Sequence, residues 1–182
     1  MKIIKTEIPE IIIIKSRVFG DDRGYFFETF SKRKFEKQVF NTEFVQDNES
    51  ESSYGVLRGL HYQLPPFSQS KLVRVISGEV LDIAVDIRKG STTFGKHVAV
   101  KLSGKNKYQL FIPRGFAHGF VVLSDKAIFS YKVDNYYNAA SEASIKFDDM
   151  ELDIDWLLNS KDFKLSTKDI EAPLFKDAKL FN

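Results

Sequence analysis

The sequence predicts a mainly β protein, a sandwich or barrel with a few short flanking helices. From residue 44 onward, short apolar stretches recur at close spacing and are separated by Gly, Pro, Asn and Ser. Helical periodicity is rare, and many short strands with turn residues between them are typical of β sandwiches and barrels. The chain also contains 17 Phe and seven Tyr, residue types that favour strands and aromatic-lined surfaces.

The N-terminal stretch, residues 3–14, is predicted to be extended. Its last four residues, Ile11 to Ile14, are apolar on both faces of a strand. An apolar strand at a chain end exposes an edge that must be covered. We therefore expect a homodimer in which a second subunit buries the strand around Ile11–Ile14.

The next elements are a turn at residues 19–24, a strand at 25–30 and a short helix. Ser31 is a suitable N-cap for this helix. The residues that then fall on one helical face are apolar: Phe35, Val39 and Phe40.

The clearest strand is residues 80–87, where Asp82 and Asp86 share one face among apolar neighbours. Near the C-terminus, Ser166 marks a helix start as its N-cap. No repeat or linker is present, so a single domain over residues 1–182 is predicted. The remaining strands are predicted at residues 97–102, 108–112, 120–123, 127–133 and 143–147.

Composition excludes several classes of protein. Hydrophobic residues make up 43% and charged residues 29%, as in soluble globular domains, and the net charge of +2 is too small to indicate nucleic-acid binding. The absence of Cys rules out disulfides, thiolate metal sites and a cysteine nucleophile. No signal peptide and no apolar span of membrane length is seen. A cytoplasmic protein without membrane or nucleic-acid partners is predicted.

Two motifs about fifty residues apart carry the chemistry. Gly55 precedes His61 by six positions, and Pro-x-Gly-x-x-His ends at His118. These spacings resemble the two metal-binding motifs of cupins, which are jelly-roll β barrels. The second His and the Glu of the first motif are replaced by Gln63 and Lys71. Because a lysine ammonium has no lone pair for a metal, we expect a cupin barrel without a metal.

Longer fragments make the chain similar to the dTDP-4-dehydrorhamnose 3,5-epimerases, cupin-fold enzymes of nucleotide-sugar metabolism. The resemblance implies epimerisation at C3 and C5 of a dTDP-4-keto-6-deoxy hexose, through an enolate and without a cofactor. It extends over nearly the whole chain, at residues 19–30, 46–48, 55–63, 69–75, 78–80, 85–88, 93–95, 109–120, 131–132 and 165–169.

The resemblance also implies catalytic roles. His61 matches the base and Asp169 the carboxylate that orients it, while Lys71 stabilises the enolate and Tyr131 donates the proton on the opposite face. Each residue also has a purely structural alternative. His61 could be a histidine of the core and Tyr131 a tyrosine of the core. Asp169 could be an acid in the first turn of a helix, and Lys71 a solvated lysine on a strand.

A second group of residues is expected to bind the substrate, which is a nucleotide sugar. Three cations would hold the diphosphate, since arginine grips phosphate oxygens in pairs: Arg23, Arg58 and Lys168. Other positions match contacts to nucleotide or sugar: Glu28, Gln46, Asn48, His118 and Glu142. Aromatic residues that could stack on the base, or simply pack, are Phe19, Phe26 and Tyr137. The resemblance implies that the N-terminal strand region is exchanged between subunits, so that Arg23 and Glu28 serve the partner's site.

Alternative functions remain open at this stage. A single-site epimerase acting at C3 or C5, or an epimerase of another NDP-4-keto sugar, fits the same residues. A cupin that binds a nucleotide sugar without catalysis is a further alternative, although the four catalytic-type residues argue against it. A metal-dependent cupin oxygenase is disfavoured by Gln63 and Lys71.

Overall fold

A computed structural model describes all 182 residues and confirms a mainly β chain. Two short α-helices accompany the strands, α1 (Lys32–Gln38) and α2 (Thr167–Ile170), with 3-10 turns at residues 139–141, 160–162 and 175–177. The strands are β1 (Lys2–Lys5), β2 (Ile12–Lys15), β3 (Val18–Asp21), β4 (Gly24–Phe27), β5 (Gln46–Ser53), β6 (Leu57–Gln63), β7 (Lys71–Ser77), β8 (Glu79–Asp86), β9 (His97–Ser103), β10 (Tyr108–Ile112), β11 (Phe116–Val122), β12 (Lys126–Val133) and β13 (Glu142–Ser144).

Two antiparallel sheets face each other. The six-stranded sheet has the order β1-β2-β10-β7-β12-β5, and the five-stranded sheet has the order β13-β6-β11-β8-β9. The predicted strands at residues 80–87 and 108–112 correspond to β8 and β10. All the other predicted later strands overlap β9, β11, β12 and β13, with shifted ends.

Strand β8 shows how the layers are built. Its even-numbered residues, such as Val80 and Ala84, lie in the core between the two sheets. Its odd-numbered residues, such as Leu81 and Ile83, lie in a second core on the outer face of the five-stranded sheet, where the C-terminal segment covers them with Trp156 among others. Both faces of β8 are buried, which explains its almost continuous apolar sequence.

The N-terminal prediction is wrong in one respect. Residues 3–14 form two strands, because Thr6 donates from Oγ1 to the carbonyls of Ile8 (2.7 Å) and Ile11 (2.9 Å) and the chain turns back between β1 and β2. Ile11 is buried in the inter-sheet core, and Ile14 is buried beside Phe35 of α1. One chain therefore buries Ile11 and Ile14 by itself and leaves Ile12 and Ile13 half-buried.

Several exposed aromatic residues lie together on the hairpin β3–β4, which pairs with neither large sheet. Its aromatic residues Phe19, Tyr25 and Phe26 are 51%, 59% and 71% exposed. The strand predicted at residues 25–30 is β4, and it ends at Phe27. Helix α1 follows Ser31 as predicted, although the Ser31 side chain makes no capping hydrogen bond.

Strands β6 and β11 approach each other unusually closely at two glycines. Gly59 has a φ of +142°, and a Cβ atom built there would lie 2.4 Å from the Cα of Gly119. A Cβ on Gly119 would lie 2.9 Å from the carbonyl oxygen of Arg58. This approach precedes the position where His61 on β6 pairs directly with His118 on β11.

Replacing Gly59 by Ala is expected to force these two strands apart. Backbone strain and overpacking each cost about 1–3 kcal/mol, so Tm should fall by roughly 4–24 °C. Gly90→Ala is the matched control, because Gly90 also has a positive φ (+88°) but an added Cβ meets no atom within 4 Å. Equal losses of Tm in the two variants would contradict the steric explanation.

Candidate active site

A cleft of about 350 Å³ opens between the two sheets. Its walls come from β6 and β11 on one side and from β5, β7 and β12 on the other, and it is lined mainly by polar side chains. Eight of the predicted site residues line it: Asn48, Arg58, His61, Lys71, His118, Tyr131, Tyr137 and Glu142.

His61 is in contact with Asp169, as predicted. Nε2 of His61 lies 2.8 Å from Oδ1 of Asp169, whose side chain is 3% exposed. The oxygen lies off the N–H direction, so this short contact is not a straight hydrogen bond. It becomes a charge pair when the ring is protonated. Nδ1 of His61 has no protein partner, which makes it the ring nitrogen available to a molecule in the cleft.

Asp169 is held by several donors besides His61. Ser166 donates its hydroxyl to Oδ2 (2.6 Å) and its N–H to the same oxygen (3.3 Å), while the Gly59 N–H donates to Oδ1 (3.3 Å). Asp169 in turn caps α2 in a capping box with Ser166. Burial raises the pKa of Asp169, but the contacts from His61 and Ser166 outweigh it and lower the pKa to about 2. The carboxylate is therefore charged at neutral pH.

Lys71 extends from β7 into the same cleft. Its side chain is open only toward the cleft, and its ammonium makes one long hydrogen bond, 3.4 Å to the carbonyl oxygen of His61. Burial lowers its pKa to about 8, and the charges of Asp82 and Glu142 oppose that fall. At neutral pH Lys71 is mostly cationic and has unused donor capacity.

His118 stands opposite His61 and contacts Asp82. Nε2 of His118 lies 3.0 and 3.1 Å from the two carboxylate oxygens, and Asp82 is completely buried. Burial lowers the pKa of His118 and raises that of Asp82. Sequence reasoning placed Asp82 on one face of β8 but gave it no role. The signal was an acid within an apolar strand, on the face that looks into the barrel.

Tyr131 lies on β12, in the sheet opposite to the one that carries His61. Burial raises the pKa of its phenol, and the nearby positive charge of Arg58 opposes this. Arg58 donates to Ser52 Oγ from Nε and Nη2, both at 3.2 Å. A flat molecule in the cleft would thus have His61 on one side and Tyr131 on the other.

The mouth of the cleft is closed on one side by a small polar network. Glu142 contacts the ammonium of Lys168 and accepts a hydrogen bond from the Tyr137 hydroxyl at 3.2 Å. Burial raises the pKa of Glu142, but the contacts with Lys168 and Tyr137 lower it overall. Lys168, predicted to bind a diphosphate, is therefore paired with Glu142 here.

The remaining predicted residues lie outside the cleft. Gln46 touches it indirectly, donating from Nε2 to Oδ1 of Asn48 (2.9 Å). Glu28 pairs with Lys34 at 2.7 Å. A separate cavity on the β3–β4 hairpin is lined by Phe19, Arg23 and Phe26. The guanidinium of Arg23 pairs there with Asp21 at 2.6 Å. Within one chain, the structure does not bring these four residues to His61.

Two of the four positions that would hold a metal in a metal-binding cupin carry Gln63 and Lys71 instead of ligands. Gln63 uses its whole amide on the backbone: Nε2 donates to the carbonyls of Phe67 (2.7 Å) and Tyr136 (3.2 Å), and Oε1 accepts from the N–H of Asn138 (2.6 Å). Lys71 offers an ammonium instead of a lone pair. No three His, Cys, Asp or Glu side chains converge as a set of metal ligands.

Comparison with known proteins identifies the family. The sequence profile of the dTDP-4-dehydrorhamnose 3,5-epimerases matches residues 5–177. The chain belongs to this epimerase family. It is 54% identical to the dTDP-4-dehydrorhamnose 3,5-epimerase of Shigella flexneri over 182 residues, which is 100% of this chain and 99% of that protein.

Solved structures of this epimerase family share the fold. The crystal structure of the dTDP-4-dehydrorhamnose 3,5-epimerase from Elizabethkingia anophelis matches with a TM-score of 0.93 and 54% identity over 97% of both chains. A Legionella pneumophila 3,5-epimerase in complex with dTDP-4-keto-L-rhamnose matches with a TM-score of 0.94 and 51% identity, over 97% of this chain and 93% of that one. The predicted cupin-type β barrel is confirmed. The chain has no helix long and apolar enough to cross a membrane.

Removing the Ser166 hydroxyl is expected to weaken the support of Asp169. Folding lowers the pKa of Asp169 from about 4 to about 2, so the ionised side chain stabilises the folded protein. This stabilisation is complete above about pH 4 and is lost as the pH falls through about 2. Ser166→Ala should lower Tm by roughly 2–6 °C at pH 7 and by less at pH 2. Ser166→Thr, which keeps the hydroxyl, is the control. A loss independent of pH in thermal melts would contradict this account.

Proposed function

We propose that this chain epimerises C3 and C5 of a dTDP-4-keto-6-deoxy hexose, converting dTDP-4-dehydro-6-deoxyglucose into dTDP-4-dehydrorhamnose. The observation that carries the proposal is the cleft in which His61, backed by the charged Asp169, faces Tyr131 with the Lys71 ammonium beside them. This set supplies a base, an acid on the opposite wall and a cation. These are the groups that inversion next to a ketone requires.

The proposed chemistry balances within the substrate and the protein. Nδ1 of His61 removes the proton from a carbon adjacent to the ketone, and the electron pair of the C–H bond moves onto the C4 oxygen as an enolate. The Lys71 ammonium stabilises this oxyanion, and Asp169 stabilises the imidazolium. When the enolate collapses, the carbon takes a proton from Tyr131 on the opposite face. This leaves His61 as an imidazolium and Tyr131 as a phenolate, so His61 releases its proton to solvent and Tyr131 takes one up from solvent. The same sequence at the second carbon then completes the isomerisation without any redox change.

Substrate binding is assigned to the residues at the rim of the cleft. Arg58 and Lys168 lie near the entrance and would hold the diphosphate, with Lys168 leaving Glu142 or sharing it. His118 and Asn48 offer hydrogen bonds to sugar and nucleotide, with Gln46 behind Asn48. The exposed ring of Tyr137 offers a stacking surface for the base.

The decisive experiment measures hydrogen exchange. We would incubate EDTA-treated protein with dTDP-4-keto-6-deoxyglucose in deuterated water and read deuterium at C3 and C5 by NMR. Deuterium at both carbons with formation of the rhamno sugar is the expected result, and it should not depend on added metal, because Lys71 and Gln63 replace two metal ligands. Label at one carbon would indicate a single-site epimerase. No label would indicate another NDP-4-keto sugar or a binding protein without catalysis.

His61→Ala and Tyr131→Phe are expected to fail differently in this assay. Loss of the base should stop deuterium uptake at both carbons, reducing it about 10²–10⁴-fold. Loss of the phenol leaves abstraction possible, so that deuterium exchange continues on one face while inversion falls by a similar factor. If Tyr131→Phe stopped exchange and His61→Ala did not, the acid and the base would have to be interchanged.

We further propose a homodimer in which the β3–β4 hairpin enters the partner's cleft. The hairpin carries Phe19, Arg23 and Phe26, all predicted binding residues that lie away from this chain's own cleft, and its aromatic surface is exposed. Glu28 follows directly after the hairpin. An arm of this kind would bring Arg23 to the diphosphate and aromatic rings to the base, while burying apolar surface.

Complementation between inactive variants tests the exchanged arm. Arg23→Ala should lower kcat/KM about 10–100-fold through the loss of a charged hydrogen bond, and His61→Ala is inactive. Co-expressed with different tags and purified as heterodimers, the two variants should regain one intact site per dimer. Arg58→Ala with His61→Ala is the control, because both residues lie in one chain's cleft and no intact site can form. Equal activity in the two mixtures, or a monomer by sedimentation at micromolar concentration, would contradict the proposal.

We also propose that residues 1–182 form a single catalytic domain that acts in the cytoplasm. The family profile covers residues 5–177 without interruption. The absence of Cys fits a protein that does not use disulfides for stability.

A further inference from the structure

Strand β8 carries two carboxyl side chains that are equally buried but have different surroundings. Asp82 and Asp86 lie on the same face of the strand, and both are completely buried. A buried charge is costly unless hydrogen bonds or opposite charges compensate it. The two residues meet this requirement in different ways.

Asp86 is compensated by a dense local network. It accepts five hydrogen bonds: from the backbone N–H, Nε and Nη2 of Arg88, from Ser91 Oγ and from Thr93 Oγ1. Burial raises the pKa of Asp86, but these donors lower it to about 2. Asp86 therefore fixes the loop that follows β8, at a distance from the cleft.

Asp82 has only one hydrogen-bonding partner, Nε2 of His118. A carboxylate can accept about four hydrogen bonds, so most of the capacity of Asp82 is unused. The charged groups that act on it come from the strands around the cleft: His118 on β11 and Lys71 on β7. His61, Glu142 and Lys168 complete the set of charges that surround Lys71 and His118. The groups that compensate the buried carboxyl group of Asp82 are thus side chains of the active site.

We propose that Asp82 is a positioning residue of the active site: its carboxyl group, 3.0 Å from Nε2 of His118, fixes the orientation of the His118 ring and favours the ammonium form of the neighbouring Lys71. This inference rests on the proposed function. Asp82 is the leading charge that opposes the effect of burial on Lys71. Without it, Lys71 loses its proton more easily, and a neutral amine does not stabilise an enolate oxygen.

The same contact sets the hydrogen-bonding role of His118. Because Nε2–H is directed to Asp82, Nδ1 is the nitrogen left without a protein partner. Burial lowers the pKa of His118, so the ring is neutral at pH 7 and Nδ1 is an acceptor. His118 then accepts a hydrogen bond from a sugar hydroxyl, and Lys71 alone donates to the C4 oxygen. Asp82 thereby separates the tasks of two neighbouring residues.

The direct test is an NMR titration of Lys71 in the substrate-free protein, with its signal assigned by its loss in Lys71→Met. The wild-type midpoint is expected near pH 8. In Asp82→Asn it should fall by about one unit, as expected when a nearby opposite charge is removed. Asp86→Asn is the matched control: it should lower Tm, because it breaks the Arg88 network, and leave the Lys71 midpoint unchanged.

The kinetic test follows the pH dependence of turnover. Because Lys71 must be protonated, kcat falls as pH rises through its pKa, and in Asp82→Asn this alkaline limb should move to lower pH. A fall of about one unit from about 8 should lower kcat about twofold at pH 7 and about tenfold at pH 9, with a smaller change in KM. Asp82→Glu, which keeps the charge, should restore the position of the alkaline limb.

The outcomes separate this inference from the proposed function. An unchanged Lys71 midpoint in Asp82→Asn, or the same shift in Asp86→Asn, would overturn the role of Asp82. A wild-type protein without deuterium exchange would overturn the epimerase function, while the Lys71 titration would still decide the role of Asp82. If Asp82→Asn does not fold, Asp82→Ser removes the same charge with a smaller side chain and serves in the same titration.

Discussion

The carboxylate of Asp169 is the contact on which the site and the C-terminal segment both depend. Oδ1 contacts Nε2 of His61 and accepts a hydrogen bond from the N–H of Gly59, while Oδ2 accepts a hydrogen bond from the hydroxyl of Ser166. One group therefore caps α2, attaches that helix to strand β6 and orients the ring that faces the cleft. Because the segment that carries Asp169 also covers the outer core, the packing of the barrel wall and the geometry of the base are mechanically linked.

The cleft is a polar interior in which Lys71 and Gln63 stand where a metal-binding cupin has two of its ligands. In a metal-binding cupin, one divalent cation compensates the ligands around it. Here the ammonium of Lys71 points into the cleft, and the carboxyl group of Asp82 lies buried beside His118. This arrangement leaves a proton-bearing donor in the centre of the barrel. It suits chemistry that moves protons next to a carbonyl, since a donor is available wherever negative charge develops.

How far the sequence predicted this structure depends on the range of the interactions involved. Strand β8 and the Ser166 cap follow from local patterns, and motif spacing brought His61, Lys71 and His118 together, because a shared barrel register fixes where those side chains point. Residues 3–14 were predicted as one extended stretch but form two paired strands, since a threonine hydroxyl that turns the chain leaves no periodic signal. The role of Asp82 was missed for a related reason: its partner lies 36 residues away, and alternation alone does not distinguish Asp82 from Asp86.

The three hydrogen bonds of Gln63 limit what can replace it. A change to histidine at this position would supply a ligand of the type that metals favour, but it would leave the carbonyls of Phe67 and Tyr136 and the N–H of Asn138 without their partner. Each buried polar group left unsatisfied costs about 1–3 kcal/mol, a large part of the net stability of a domain. Introducing a metal ligand at position 63 would therefore require the loop at 136–138 to be rebuilt as well. The amide of Gln63 thus ties the floor of the cleft to a loop outside it.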